Sequence, residues 1–282
     1  MKWRIFILVS SFLFLLSFFV FTYFNQDGKL HIVFCNVGQG DGVYVRTPSG
    51  TDIVIDAGPD NSILECLSQH MPFWDRTIEL VFATHPDADH ITGFKYILEN
   101  YKVLSFNTSK RESNTGTYKR IQELLSDRKI LIRFLYAGDK YAISDGVTLT
   151  SYWPTSSFIE SDTSTSTNRY SLVQMLNFHK FNLLLNGDTE FVILNEIFKE
   201  GVVVDIFKLP HHGSKTGIDA QTFMLIKPQL SIISAGLNNR YGHPSFQVLE
   251  ELLKHKLRYM ETSKVGSIEV VVDKSSWSVV TQ

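Results

Sequence analysis

The chain has 282 residues, 44% of them apolar, and its 27 Lys plus Arg against 29 Asp plus Glu leave a net charge of −2. A chain of this size and composition buries a sizeable core, which excludes a disordered, collagen-like or disulfide-scaffold protein. The slight acidity excludes wholesale electrostatic attraction to nucleic acid.

The amino-terminal segment stands apart. Lys2 and Arg4 precede IFILVSSFLFLLSFFVFTYF, an uncharged stretch from Ile5 to Phe24 with about the 20 residues that span a bilayer. FTYFNQDG offers no small-x-small cleavage site, so residues 1–28 are expected to be an uncleaved signal anchor, a single transmembrane helix. Basic residues ahead of the span place the amino terminus in the cytoplasm and everything after Asn25 outside it. Residues 29–282 then read as one catalytic-sized domain without an internal repeat or a Gly/Pro-rich linker.

KLHIVFCNV, GVYVRTP and TDIVIDAG read as three short strands separated by the turns GQGDG and PSG, a meander. SILECLSQHM reads as a helix, IELVFATH as a buried strand, and ITGFKYILENY as a helix with Ile91, Phe94, Ile97 and Leu98 at helical spacing. TYKRIQELLSDRK predicts a further helix, followed by strands around ILIRFLY, GVTLTSYW, SLVQMLNF and FNLLLNG. Between two of these, SSFIESDTSTSTN is too rich in Ser and Thr for the core and is expected as a long surface loop near the site. A repeated strand, loop, helix pattern follows, and IEVVV and WSVV close the chain. Cys35, in a predicted strand, and Cys66, in a predicted helix, match no zinc-ribbon spacing; they are expected as buried free thiols, with one disulfide the alternative in an exported protein.

The strand exits carry the chemistry. Asp56 follows DIVI, His85, Asp87, Asp89 and His90 follow ELVFAT, Asp188 follows NLLLNG, and His211 and His212 follow DIFKLP. Polar residues at successive strand exits converge on one edge of a sheet. His85 and Asp87 alternate on an extended loop, whereas Asp89 and His90 open the next helix, so two pairs form with a carboxylate between them. A two-metal site needs that arrangement. Taken singly, Asp89 is also an ordinary helix cap and His85 an ordinary strand-end residue.

Six blocks occur in order: NVGQGDGVYVRTPSG, DIVIDAGP, THPDADHITG, LLLNGDTE, KLPHHGSKTG and NNRYGHPS. They resemble the metallo-β-lactamase superfamily, whose signature is H-x-H-x-D-H, and more closely the carboxy-terminal hydrolase domain of ComEC-type competence proteins. The resemblance implies an αββα sandwich of the mixed α/β (α+β) class with two divalent metal ions at one edge. It implies that His85 and Asp87 hold one ion, that Asp89 and His90 hold the other, that Asp188 bridges them and that one of His211 and His212 completes the second site. Asp56 would orient the cluster from behind.

Three departures qualify it. Asp87 stands where the superfamily has a second histidine, TSTNRYS stands where it has another, with Asn168 as the stand-in, and Asn36 replaces an aspartate common in close relatives. His179, at a predicted hairpin tip, is no substitute. An oxygen-rich site admits manganese beside zinc.

The reaction expected is attack by a metal-activated water, with Asp89 and His243 acting in catalysis; His243 either stabilises the transition state or protonates the leaving oxygen. Lys208, Lys215, Asn238, Asn239 and Arg240 in or beside the exit loops are donors suited to a phosphate. The leading expectation is an extracytoplasmic phosphodiesterase or nuclease acting on DNA, with a separate DNA channel as partner if it serves uptake. Two alternatives stay open: a hydrolase of a phosphocholine or cell-envelope phosphodiester, lactam or lactone, and a non-catalytic polymer-binding protein on the same fold.

Overall fold

The computed structural model describes residues 2–24 and 27–281. The amino-terminal run forms α1 (Lys2–Phe24). Then come β1 (Leu30–Phe34), β2 (Gly42–Arg46), β3 (Asp52–Ala57), α2 (Ser62–His70), β4 (Thr77–Ala83), α3 (Ala88–Asn100), β5 (Lys102–Thr108), α4 (Gly116–Asp127) and β6 (Leu131–Phe134). The second half supplies β7 (Lys140–Ala142), β8 (Thr148–Trp153), α5 (Ser156–Ser161), β9 (Val173–Phe178), β10 (Phe181–Leu185), α6 (Phe191–Ile197) and β11 (Val202–Lys208). It continues with α7 (Ala220–Leu225), β12 (Ile226–Ile233), α8 (Phe246–Lys254), β13 (Tyr259–Glu261), α9 (Thr262–Val265), β14 (Ile268–Val272) and β15 (Trp277–Thr281).

Two sheets result, in the orders β15-β14-β1-β2-β3-β4-β5-β6 and β13-β12-β11-β10-β9-β8-β7. Leu30, Ile32 and Phe34 point between the sheets toward Leu183, Leu185 and Ile206, while Val33 points the other way, under Ile63, Ile91 and Phe94 of α2 and α3. Both faces of such a strand are covered, which is why residues 32–35 are a continuous apolar run and not an alternating one. Leu194, Phe223 and Val248, from α6, α7 and α8, cover Leu184 and Phe207 on the far side of the second sheet. The layers therefore run α, β, β, α. Each large apolar side chain buried in them contributes about 1.5–3 kcal/mol.

The expected meander is present, with β1, β2 and β3 paired antiparallel. β3, β4 and β5 are parallel, as are β10, β11 and β12, so their exits gather at one edge of the sandwich. Gly93 lets α3 lie against the exit of β3: a Cβ there would stand 1.9 Å from the carbonyl oxygen of Ala57.

Three expectations change. Cys35 and Cys66 are joined in a disulfide with Cα atoms 5.8 Å apart; the exit of β1 and the buried face of α2 meet in one apolar layer, which brings the two sulfurs together. Part of SSFIESDTSTSTN is the short helix α5, capped by the Thr155 side chain. Among the described residues no helix is long and apolar enough to cross a membrane. The span expected over Ile5–Phe24 is thus not supported: the last stretch of α1 falls outside the residues whose side chains are described, and Asn25 and Gln26, within the expected anchor, lie outside the described residues altogether.

Candidate metal centre

Three of the histidines are fixed by their Nδ1 atoms. The hydroxyl of Thr84, just beyond β4, donates to Oδ2 of Asp56 at 2.7 Å and so accepts from Nδ1 of His85 at 3.0 Å. His90, in the first turn of α3, donates from Nδ1 to Asp56 at 2.8 Å. His212 donates from Nδ1 to the Ser234 carbonyl at 2.9 Å, and Oδ1 of Asp41 lies 3.1 Å away. Each imidazole is thereby held in the tautomer that leaves Nε2 bare.

Those bare atoms converge. Nε2 of His85, His90 and His212 and Oδ1 of Asp188 are all buried without a hydrogen-bond partner. Nε2 of His90 lies 3.1 Å from Oδ1 of Asp188 and that of His212 3.6 Å from it. Ligand atoms of His85, His90 and Asp188 fall within 4.8 Å of one another, as do those of Asp89, His90 and His212. A buried polar atom left unpaired costs about 1–3 kcal/mol, so a cluster of four is costly unless something binds there. Imidazole nitrogens with carboxylate oxygens are the donor set of zinc or manganese, and the residues present fit such ions.

Electrostatics agree. Burial would depress His90, but Asp188 and Asp56 outweigh it and raise it well above the usual histidine range. Burial likewise opposes, and Asp188 and Asp41 override, in His212, which is raised to about 9. Burial would raise Asp188; His90 and His212 instead hold it well below the usual carboxylate range. The carboxylates of the cluster therefore favour positive charge at its centre.

The outer part of the cluster is more open. Asp87, at the amino-terminal cap of α3, is 3.6 Å from Nε2 of His85 and accepts from the Thr167 hydroxyl at 2.6 Å. Asp89 lies 3.3 Å from Nε2 of His212. His211 reaches Oδ2 of Asp188 at 3.6 Å, with Asn168 and Thr216 on its Nδ1 at 3.4 and 3.2 Å. The polar segment before β9 therefore does reach the site, and Asn168 meets His211. Asp56, His211 and His212 all have left-handed backbone, with φ of 54°, 49° and 55°, conformations that cost of order 1–3 kcal/mol and cluster at functional sites.

His243 is half-buried, its ring centroid 5.4 Å from that of His211 and 6.3 Å from that of His212. Burial and then these two neighbours push it down to about 4, so it is neutral at physiological pH. Asn239 does not face outward as a phosphate donor. Its amide braces its own loop, donating to the Gly236 carbonyl at 2.9 Å and accepting from the backbone N–H of His243 at 3.0 Å. Arg240 is exposed and lies over Tyr241 at 4.8 Å. Lys215 is exposed beside a groove lined by residues of α7 and α8. Lys208 is buried, its Nζ 2.8 Å from Asp41, which removes it from the rim. Asp41, which pairs with both Lys208 and His212, is the residue that sequence reasoning missed; its signal was an aspartate inside the glycine turn GQGDG.

Residues 35–157 match the family model of the metallo-beta-lactamase superfamily. ComE operon protein 3 of Bacillus subtilis is 26% identical over 270 residues, which are 89% of this chain and 34% of that protein. Recombination protein 2 of Haemophilus influenzae is 26% identical over 276 residues, 95% of this chain and 32% of that protein. The chain thus spans about a third of the length of the curated relatives it matches. The crystal structure of Zn(2+)-bound PqqB from Methylobacterium extorquens superposes with a TM-score of 0.54 at 11% identity, covering 82% of this chain and 97% of that one; the likeness shows the fold alone. The chain is thus similar over residues 35–157 to the metallo-beta-lactamase superfamily, and over most of its length to ComE operon protein 3 and Recombination protein 2.

Proposed function

We propose that the chain is a metal-dependent phosphodiesterase that acts on nucleic acid outside the cytoplasm, held at a membrane by α1. The observation that carries the reaction class is the convergence of bare, buried Nε2 atoms of His85, His90 and His212 on Oδ1 of Asp188. Divalent ions in such a cluster lower the pKa of a bound water and neutralise charge on a phosphoryl group.

The chain's own residues supply the rest. Asp56, through Thr84 at His85 and directly at His90, and the Ser234 carbonyl at His212 lock the imidazoles before any substrate arrives. Asp188 faces His90, His212 and His211 together and so ties the two halves of the centre. Asp89 stays ionised, since burial would raise it but His212 and His90 lower it, leaving an acceptor beside His212. His243, neutral, donates a hydrogen bond from its ring to a phosphoryl oxygen; pushed down to about 4, it carries no imidazolium proton near neutral pH to give to the leaving oxygen. The nucleic-acid reading is supported by the similarity to the two competence and recombination proteins, and zinc by the named metal of the PqqB neighbour.

Two observations support the location. Described side chains of α1, among them Trp3, Phe6, Leu8, Phe12 and Phe14, are large, apolar and exposed, which suits a lipid environment better than water. The Cys35–Cys66 disulfide suits an oxidising compartment.

The test is to incubate the full chain with manganese or zinc against bis-p-nitrophenyl phosphate, plasmid DNA and a chromogenic β-lactam. Metal-dependent cleavage of the first two, abolished by Asp188→Asn, is expected. Turnover of the β-lactam alone would overturn the proposal.

A further inference from the structure

A cleft of about 600 Å³ lies at the edge opposite the candidate metal centre. The register places it there. Val272, which lines it, pairs with Leu30 at the start of β1, whereas the cluster lies beyond the strand exits; Lys180 and Phe181 line it from the β9–β10 turn, at the other end of β10 from Asp188. Its size is that of a small-molecule site.

Its charges are unbalanced in a specific way. Two carboxylates line it, and both are already saturated. Asp205 accepts from the Asn182 backbone N–H at 2.8 Å, the Gln229 amide at 2.7 Å and the Trp277 indole at 3.2 Å. Asp273 accepts from the backbone N–H groups of Ser275 and Ser276 at 2.7 and 2.9 Å. Three cations line the same cleft, Lys180, Arg258 and Lys274, all exposed and none ion-paired among the described residues. They come from three separate segments. Asp205 fixes the indole of Trp277 by its nitrogen, and the ring packs edge-on against Phe181 with centroids 6.4 Å apart, so the cleft has one held aromatic wall.

We propose that this cleft is a nucleotide site, separate from the metal centre and independent of the reaction assigned to it. A planar base lies against Trp277, and Lys180, Arg258 and Lys274 hold the phosphates. A simple anion needs the cations but not the indole, and an apolar ligand the reverse; both together fit a base joined to a phosphate.

The experiment is calorimetric titration of the full chain, in EDTA so that metal-dependent binding is suppressed, with ADP, with adenosine and with inorganic pyrophosphate. ADP is expected to bind more tightly than either fragment. Lys274→Glu, on an exposed turn where folding is undisturbed, weakens ADP by roughly tenfold or more, the scale of one lost charged hydrogen bond. Trp277→Leu weakens ADP by a similar factor, as loss of a base–aromatic stack does, and leaves pyrophosphate unchanged. Asp188→Asn leaves ADP binding intact. Pyrophosphate binding as well as ADP would reduce the site to anion attraction and overturn the proposal. So would the absence of ADP binding, indifference to Lys274→Glu, or loss of binding in Asp188→Asn.

Discussion

The metal centre has an inner and an outer part, and they are built differently. Side chains of the inner candidate ligands His85, His90, His212 and Asp188 are 0%, 0%, 1% and 4% exposed; those of the outer candidates, Asp87, Asp89 and His211, are 38%, 32% and 25% exposed. The inner imidazoles are each fixed from behind by a group that belongs to the core. The outer side chains stand on a helix start and a left-handed turn, with Thr167 and Asn168 of a surface segment against two of them. Core packing therefore sets the inner geometry before metal arrives, while the outer ligands have room to adjust to it and to substrate.

Substitutions of the inner part sharpen this most. Asp188→Asn, which removes charge from the residue facing His90, His212 and His211, is expected to abolish metal retention at both positions, read by elemental analysis after gel filtration. Asp87→Ala should leave one equivalent of metal bound and lose the other, since Asp87 faces only His85 among the cluster's histidines; loss of both would erase the distinction between the parts. Asp56→Ala touches no metal directly, yet it frees His90 and Thr84 together, so metal affinity should fall by roughly 10–100-fold, the usual cost of an outer carboxylate. An unchanged affinity would mean that packing alone holds the rings.

The smallest effect comes from the far edge, where His31 is also flanked by two carboxylates but is only partly buried. Its Nδ1 is 2.7 Å from Glu269 and its Nε2 3.0 Å from Asp27. Glu269, ahead of the opposing cost of burial, raises His31 above its ordinary 6.5, and His31 in turn lowers Glu269 below its ordinary 4.5. The histidine contribution is full below 6.5 and disappears as pH rises through the raised value; the carboxylate contribution is full above 4.5 and disappears as pH falls through the lowered one. Stability from this pair thus peaks between about 4.5 and 6.5, and His31→Gln should flatten that part of a Tm-against-pH curve. A curve of unchanged shape would show that the pair adds nothing.

The convergence of these side chains was legible in the sequence because His85, His90, Asp188 and His212 follow strand exits, and strand exits can be read from apolar runs ending in polar residues. His85, Asp87, Asp89 and His90 are nearly consecutive, so one loop declared them. The roles of His211 and His212 were not legible: which ring turns inward depends on the Ser234 carbonyl, 22 residues away in sequence. Asp41 and Lys208 were misread for a related reason. A glycine turn looks like mere connection, and a lysine ending a strand looks solvated, until the fold shows them buried against each other at 2.8 Å. The disulfide stood only as the alternative to free thiols because two cysteines 31 residues apart carry no spacing signal.

The most direct test of the inner and outer division is competition for metal against a chromophoric chelator, comparing His212→Gln with His211→Gln. These neighbours differ in what the account says of them: His212 is a buried, braced inner ligand and His211 a rim ligand. His212→Gln is predicted to lose the tighter-bound ion, and His211→Gln to keep it and weaken only the other. Equal losses in the two variants, or a larger loss from His211→Gln, would contradict the account.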